Sequence, residues 1–330
     1  MSEQRQKTVL ITGGSGFAGR HLIAALTETG AEVHVLDRTR IAARGEAWLS
    51  TGIQTHLTDL THPDGLRELI GRIRPDDIYH LAGRANVKHS WHGETETYTV
   101  NVIGAVNLLC AVRDTGLGSR ILIVSSGEVY GNVPESEQPI TETTQPRPRS
   151  PYAASKYCQE IAALQLAQTM KGKVVIARPF NHIGPGQRLG FVTADFAYQV
   201  ARIEQGLQEP VIQVGNLDAR RDFTDVRDTV SGYIHALEHG TPGDVINVCS
   251  SRTCRIRDFL DFFMGRSTAE ISVKIDPDRF RPADVPILQG SHRYLTEISG
   301  WAPQRTIEDT LDEILQYWRS QTADGLASDS

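Results

Sequence analysis

The sequence predicts an α/β protein built on a doubly wound parallel sheet, followed by a smaller mixed α/β region. Short apolar strands alternate with amphipathic helices over the first 179 residues. These strands are apolar almost throughout, as expected for a sheet that helices cover on both faces. The first strand leads through a glycine-rich turn into a helix, which is how such sheets commonly begin.

The alternation can be followed element by element. Strands are predicted at 8–12, 31–36, 52–57, 76–82, 119–126 and 173–179, with helices near 17–29, 64–72, 95–115 and 152–170. Two helical stretches, 100–112 and 152–167, are apolar around most of their circumference and must be buried on two sides. One side faces the sheet. The other is buried within the monomer or against a second subunit.

After residue 179 the regular alternation stops. The stretch 180–187 is a Gly/Pro loop, and helices near 190–206 and 228–240 follow. We predict a dinucleotide-binding domain from 1–179 with 222–248, and a substrate domain from 180–221 with 249–321. The small polar residues 322–330 are predicted to be a disordered tail.

Composition excludes several classes of function. Of the 330 residues, 39% are hydrophobic and 22% are charged, and the formal net charge is −6. Such a balance argues against nucleic acid or an anionic membrane as the main partner. No apolar run approaches the ~20 residues of a membrane span, and no signal peptide is recognised, so we expect a cytoplasmic protein.

No metal site is predicted. The four cysteines lack metal-ligand spacing and are expected to be buried, reduced thiols. No acidic or cysteine partner accompanies His89 and His92, so we interpret them as loop histidines near a helix start.

The first strand and helix carry a dinucleotide-binding pattern. Gly13, Gly16 and Gly19 permit a tight turn, close approach of a pyrophosphate and close packing of helix on sheet. Asp37 ends the second strand, where a carboxylate can bind the ribose hydroxyls of NAD, whereas Arg38 can contact a 2′-phosphate instead. NAD(H) is favoured and NADP(H) stays open. Asp59 could meet an adenine amino group or cap a helix.

Three residues suggest the chemistry. Tyr152 and Lys156 lie four apart on one helix and therefore share a face. An ammonium near the phenol is expected to lower the pKa of Tyr152, making it an acid or base for a carbonyl–alcohol pair. Ser126, at the end of the fifth strand, can hold the carbonyl oxygen.

With these motifs the chain resembles the extended short-chain dehydrogenases/reductases, in the branch that modifies nucleotide sugars, over essentially its whole length. The resemblance implies a Rossmann-type fold, catalysis by Ser126, Tyr152 and Lys156, a supporting role for Asn101, and a homodimer formed through the helices near 95–115 and 152–170. Further cofactor contacts are expected from Phe17, Leu60, Leu81, Ala82 and Pro179.

The second half of the sequence indicates the substrate more specifically. The blocks 177–187, 215–228, 246–251 and 281–303 resemble those of GDP-6-deoxy-4-keto-D-mannose reductases. Arg221 and Arg281 are expected at the diphosphate of a GDP-sugar. The remaining candidates for contacts with the substrate are Val87, Lys88, Ser90, Glu128, Asn181, His182, Gln187 and Asp284.

Several reactions fit this scaffold. A 4,6-dehydratase needs a base for the C5 proton; Glu128 is available, but Gly127 stands beside it where a second catalytic group is typical. A 4-epimerase needs tightly retained NAD. A reductase needs only hydride and a proton, and the blocks after residue 179 favour it, with GDP-D-rhamnose as product and GDP-6-deoxy-D-talose as the alternative. A non-catalytic nucleotide sensor is disfavoured because Ser126, Tyr152 and Lys156 are all present.

Overall fold

The structure is a computed structural model that describes residues 6–38, 52–85, 90–279 and 285–323. Thirteen strands lie within these ranges. In chain order the strands are β1 (Thr8–Thr12), β2 (Glu32–Asp37), β3 (Gln54–Leu57), β4 (Asp77–His80), β5 (Arg120–Val124), β6 (Val174–Pro179), β7 (Asn181–Ile183), β8 (Val211–Val214), β9 (Arg220–Asp225), β10 (Val245–Val248), β11 (Thr253–Arg255), β12 (Ser272–Ile275) and β13 (Ile287–Leu288).

Seven of these strands form a parallel sheet in the spatial order β10, β6, β5, β4, β1, β2, β3. The order of connection reverses between β1 and β4. Ligands of open α/β sheets bind in the crevice outside the carboxyl ends of the strands at such a point. The prediction of a doubly wound parallel sheet is confirmed, and the sheet places the ends of β1, β4 and β5 around one crevice.

Helices cover both faces of this sheet. In chain order the helices are α1 (Phe17–Glu28), α2 (Leu66–Ile73), α3 (Glu94–Tyr98), α4 (Gly104–Thr115), α5 (Pro151–Ala167), α6 (Val192–Glu204), α7 (Val226–His239), α8 (Ile256–Gly265), α9 (Arg293–Ser299) and α10 (Ile307–Ala323). A π-helical turn, Thr99–Ile103, joins α3 to α4. One apolar core lies between the sheet and α1, α7 and α9, and another between the sheet and α2, α4 and α5.

A second, smaller sheet is built around β9, which pairs with β7, β11 and β13. The strands β8 and β12 form a separate parallel pair. A third core unites α6, α8 and α10 around Phe259, Phe263 and Trp318. The chain enters this region after β6, returns to the large sheet at β10 and leaves again.

Two details differ from the predictions. Helix α10 continues to Ala323, two residues into the predicted tail, because Thr322 is buried and its hydroxyl donates to the Trp318 carbonyl oxygen at 2.7 Å. Residues 324–330 lie outside the described residues. The four cysteines are free, but only Cys249 is buried; Cys158 is exposed because its position on α5 turns away from the sheet.

Candidate active site

The turn after β1 requires glycine for steric reasons. Gly13 has φ +74°, and a Cβ there would lie 2.7 Å from the backbone nitrogen of Ala82 at the end of β4. A Cβ on Gly19 would lie 2.5 Å from the Gly13 carbonyl oxygen. Both neighbours are backbone atoms that cannot rotate away. The glycines therefore bring α1 against β1 and β4, as the spacing predicts.

The residue at the end of β2 is tied to this turn. The Asp37 carboxylate accepts hydrogen bonds from the backbone N–H of Ser15 at 3.0 Å and from that of Arg38 at 2.8 Å. Arg38 itself is exposed. Asp37 thus fixes the glycine turn that follows β1, while Arg38 remains accessible from solvent.

A pocket opens from the turn across the carboxyl ends of β1, β4, β5 and β6. The predicted residues that line it are Gly13, Gly16, Phe17, Gly19, Leu81, Ser126, Glu128, Tyr152, Lys156, Pro179, Asn181, His182 and Gln187. One cavity thus joins the glycine turn to the candidate catalytic residues. This proximity is what the sequence motifs imply.

Other predicted cofactor contacts lie beside this lining. Asp59 accepts from the N–H and the hydroxyl of Thr61 at 2.9 and 2.8 Å, and these bonds hold the pKa of Asp59 below its usual value. Asp59 therefore stabilises the turn in which it lies. Leu60 is buried against α4, and its carbonyl oxygen accepts from Asn107 at 2.8 Å. Ala82 adjoins the glycine turn through its backbone.

Helix α5 begins with a strong signal and delivers two buried polar side chains to the pocket. Ser150 caps the helix by accepting from the Ala153 N–H at 3.1 Å, and Pro151 occupies its first turn. Tyr152 is only 9% exposed and Lys156 only 4%. Both side chains line the pocket, as their spacing predicts.

The expected lowering of the Tyr152 pKa is wrong for this structure. Burial raises the pKa of Tyr152 to about 12; the hydrogen bond with Ser126 acts in the opposite direction, and the charge of Glu128 acts with burial. Removing a phenol from water disfavours the phenolate, and this outweighs the neighbouring groups. The side chain therefore holds its proton at neutral pH, which suits a proton donor.

Asn101, in the π-helical turn, connects the pocket wall to α5. Its side-chain oxygen accepts from the backbone N–H of Arg84 at 2.8 Å, and its amide nitrogen donates to the hydroxyl of Ser155 at 2.8 Å. Asn101 is fully buried. It holds the segment after β4 against the helix that carries Tyr152 and Lys156.

Phe180 closes the space beside Glu128. A Cβ on Gly127 would lie 3.0 Å from the Phe180 ring, and a Cβ on Gly290 would lie 2.6 Å from the same ring. The ring is thus wedged between two glycines that are 163 residues apart. Because the ring fills this space, a larger side chain at 127 needs the ring to move. Glu128 has no second acidic group beside it in the chain.

The predicted substrate contacts Ser90, Arg221 and Asn181 have described positions, and the first two make hydrogen bonds within the protein. Ser90 is buried, and its hydroxyl accepts from the Tyr152 backbone N–H at 3.2 Å. Arg221 is buried on β9 and donates to the carbonyl oxygens of Arg220 at 2.9 Å and Pro286 at 3.5 Å. Asn181 lines the pocket at the start of β7. The predicted contacts Val87, Lys88, Arg281 and Asp284 lie outside the described residues.

The pocket also contains residues that the sequence reasoning missed. Phe180, Tyr233 and Arg188 line it, Tyr233 coming from α7 and Arg188 from the Gly/Pro loop. The only sequence signal for Arg188 is its place directly after Gln187 in that loop. Tyr233 lies on the inner, apolar face of α7, so its sequence pattern is that of an ordinary core residue.

The lining fits a dinucleotide. Gly16 caps α1 without any side-chain hydrogen bond to the first turn of that helix. Bare N–H groups at a helix N-terminus are a favourable site for phosphate. Gly13 and Gly16 leave the backbone free of Cβ atoms at this point, while Tyr152, Lys156 and Pro179 line the far end of the same pocket.

Two further findings concern the described part of the chain as a whole. It contains no group of three or more His, Cys, Asp or Glu side chains arranged to hold a metal ion. Within the same ranges, no helix has the length and apolar character needed to cross a membrane.

Comparisons with known proteins agree with the fold. The family model for GDP-mannose 4,6 dehydratase matches residues 10–314. The chain is 40% identical to GDP-6-deoxy-D-mannose reductase of Pseudomonas aeruginosa, covering 95% of this chain and 97% of the relative. It is 32% identical to GDP-mannose 4,6 dehydratase 2 of Arabidopsis thaliana, covering 94% and 87%.

A solved structure gives the same result. RMD from Pseudomonas aeruginosa complexed with NADPH superposes with a TM-score of 0.84 at 38% identity, covering 96% of this chain and all of that one. With this coverage the match extends over both halves of the chain. The chain therefore belongs to the GDP-mannose 4,6-dehydratase family of extended short-chain dehydrogenases/reductases.

Proposed function

We propose that this protein reduces the C4 keto group of GDP-4-keto-6-deoxy-D-mannose with NADH or NADPH. One observation carries the chemistry: a buried tyrosine that keeps its proton lies in the pocket onto which the glycine turn opens. The 40% identity to a GDP-6-deoxy-D-mannose reductase supports the choice of substrate and reaction.

The pocket residues have different roles in this reaction. A bound nicotinamide cofactor supplies hydride to C4. Tyr152 donates its phenolic proton to the C4 oxygen, so that the carbonyl becomes an alcohol. Ser126 orients that oxygen by a hydrogen bond, and Lys156 holds the nicotinamide ribose and stabilises the phenolate that forms.

Cofactor binding is assigned to the first half of the chain. The N–H groups at the start of α1 would hold the pyrophosphate, with Gly13, Gly16, Phe17 and Gly19 shaping the turn. Asp37 and Arg38 are assigned to the adenosine ribose, where the carboxylate suits NADH and the exposed guanidinium suits the 2′-phosphate of NADPH. Leu60, Leu81, Ala82 and Pro179 complete the apolar walls, and Asp59 lies near the adenine end.

The GDP-sugar is assigned to the second half and to the segment after β4. Arg221 and Arg281 would contact its diphosphate, and Asp284 its ribose or base. Val87, Ser90, Glu128 and Asn181 would surround the hexose. Residues 180–221 with 249–321 constitute the proposed substrate domain. Residues 1–179 with 222–248 constitute the proposed dinucleotide-binding domain, which also carries Val87, Ser90 and Glu128.

A 4,6-dehydratase is the second candidate, because Glu128 lines the pocket and the family includes dehydratases. The Phe180 ring beside Gly127 argues against it, since it takes the space of a second catalytic side chain next to Glu128.

Two incubations separate the candidates. The protein is given GDP-mannose alone, and separately GDP-4-keto-6-deoxy-D-mannose with NADH or NADPH. We expect nucleotide oxidation only with the keto-sugar, and NMR of the product then distinguishes GDP-D-rhamnose from GDP-6-deoxy-D-talose. Consumption of GDP-mannose without added reductant would show that the protein is a dehydratase. Parallel incubations with UDP- and dTDP-sugars test whether guanine is the preferred nucleobase.

The substitution Glu128→Gln is expected to leave reduction of the keto-sugar within roughly threefold of the wild type. A reduction removes no proton from C5, whereas loss of a general base typically lowers a rate by about 10²–10⁴-fold. Initial rates of NADPH oxidation measure the effect. A loss of the larger size would assign a proton-transfer role to Glu128 and contradict the proposed reaction.

We further propose that two copies of the chain associate through α3, α4 and α5. Tyr98 on α3, Ile103 in the π-helical turn before α4 and Ile161 on α5 are 36%, 47% and 53% exposed, which is unusual for large apolar side chains on adjacent elements. A second copy of the same helices would cover them. The proposed enzyme acts in the cytoplasm, where reduced nicotinamide cofactors are available.

The substitution Ile161→Asp is expected to weaken this dimer by at least about 100-fold, because it buries a charge in each half of a symmetric interface. Sedimentation velocity over a range of concentrations measures the change. Leu207→Asp is the matched control, since Leu207 is 52% exposed and lies after α6, away from these helices. Equal behaviour of the two variants would contradict the proposed interface.

A further inference from the structure

A fully buried glutamine lies beneath the candidate catalytic lysine. The Lys156 ammonium donates to the Gln159 side-chain oxygen at 2.7 Å, and Gln159 has no exposed surface. The amide nitrogen of Gln159 has no hydrogen-bond partner among the described residues. The side chain of Gln159 therefore makes a single hydrogen bond there, and makes it to Lys156.

This arrangement is unfavourable for the stability of the fold. A buried amide donor without a partner is destabilising relative to an apolar side chain of similar shape, because its hydrogen bond to water is lost and not replaced. A methionine at this position would fill the same space without that penalty. Packing alone therefore gives no reason for a glutamine here, whereas the bond to Lys156 does.

The space around the ammonium is narrow. A Cβ on Gly83, in the segment after β4, would lie 3.7 Å from the Lys156 nitrogen and 3.0 Å from the Asn101 side-chain oxygen. Lys156 is thus enclosed by α5, the segment after β4 and the π-helical turn. In this enclosure a hydrogen-bond acceptor fixes where the ammonium can point.

We propose that Gln159 is a positioning residue that holds the ammonium of Lys156 toward the nicotinamide end of the pocket. The role rests on the proposed reduction, in which Lys156 acts as a cation. Gln159 does not touch substrate or cofactor. It acts through Lys156, by accepting a hydrogen bond from one of the three N–H groups of the ammonium and leaving the other two for the pocket.

The charged and titratable surroundings of Lys156 come from several elements. They are Tyr152 and Glu160 on α5, His80 on β4, Arg178 on β6 and Glu128 after β5. Burial lowers the pKa of Lys156 to about 8, and the charge of Glu160 acts in the opposite direction. Burial also lowers the pKa of His80 to about 3, so this neighbour is neutral while Lys156 titrates.

The test compares two substitutions with opposite expected effects. Gln159→Met removes the acceptor, so the neutral amine is favoured and the alkaline limb of the kcat–pH profile moves about one unit to lower pH. Gln159→Glu supplies a carboxylate at the same place, so the ammonium is favoured and the limb moves to higher pH. The melting temperature of Gln159→Met is expected to equal or exceed that of the wild type. Gln168→Met and Gln168→Glu, at an exposed position on the end of the same helix, are matched controls and leave the profile unmoved.

A second measurement is independent of turnover. The rate at which Lys156 is acetylated by acetic anhydride, followed by mass spectrometry against pH, reports the charge on its amine directly. The same opposite shifts are expected there, and they remain measurable in a protein that does not reduce the keto-sugar. Unmoved midpoints, or a shift in one direction for both Gln159 variants, would overturn the positioning role. A lower melting temperature for Gln159→Met with unmoved midpoints would assign Gln159 a structural role instead.

Discussion

Replacing Tyr152 with phenylalanine is expected to lower turnover of the keto-sugar by about 10²–10⁴-fold, the contribution of a positioned acid. The substitution removes one oxygen from a side chain that is otherwise packed in place, with 9% of its surface exposed. We expect the dissociation constant of NADPH to change by less than about threefold. Single-turnover rates and fluorescence titration with NADPH measure the two quantities.

The control for this variant is Tyr157→Phe, one residue beyond Lys156 on the same helix. Tyr157 packs against the apolar cluster around Tyr130 and Phe180. The same hydroxyl group is removed there, outside the proposed catalytic set. A Tyr152→Phe protein with near-wild-type turnover would show that another group supplies the proton, and Tyr233 would be the next candidate because it lines the same pocket.

The second large effect is expected at a buried ion pair. Arg178 on β6 donates to both carboxylate oxygens of Glu160 at 2.9 and 2.6 Å, and Glu160 also accepts from the hydroxyl of Ser125. The two charged side chains are 5% and 2% exposed. Arg178→Met leaves a buried carboxylate without its cation and is expected to lower the free energy of unfolding by about 3–5 kcal/mol.

Urea unfolding of single and double variants tests this expectation. Arg178→Met with Glu160→Leu removes both charges, and we expect it to recover most of the lost stability. The control pair is Arg293 and Glu297, one turn apart on α9, whose side chains are 85% and 55% exposed. Arg293→Met is expected to cost less than about 1 kcal/mol. Equal losses at the two sites would mean that burial does not decide the strength of these pairs.

The parts of the site that follow from local sequence were predictable. A turn at Gly13 needs a positive φ, and residues four apart on a helix share a face, so the glycine turn and the Tyr152–Lys156 pair could be assigned before any tertiary structure was considered. Six of the seven strands of the large sheet, β1 to β6, were predictable for a similar reason. Their apolar runs are short, and turn residues separate them.

The parts that depend on tertiary packing were not predictable. The raised pKa of Tyr152 comes from burial under segments distant in the chain, which the local motif does not contain. Gly290 meets Phe180 only in the folded chain, and no spacing rule connects them. Gln159 is only three residues from Lys156, but its complete burial depends on how α5 packs on the sheet.

The path of the chain has a consequence for truncation. Strand β10 completes the edge of the large sheet beside β6, although 65 residues separate the end of β6 from its start. A fragment ending at residue 179 would therefore present β6 as an open edge, with the apolar sequence VVIA able to pair with another chain. Such a fragment is expected to aggregate. Exchanging the second half for that of a relative would require two grafts, one on each side of α7 and β10.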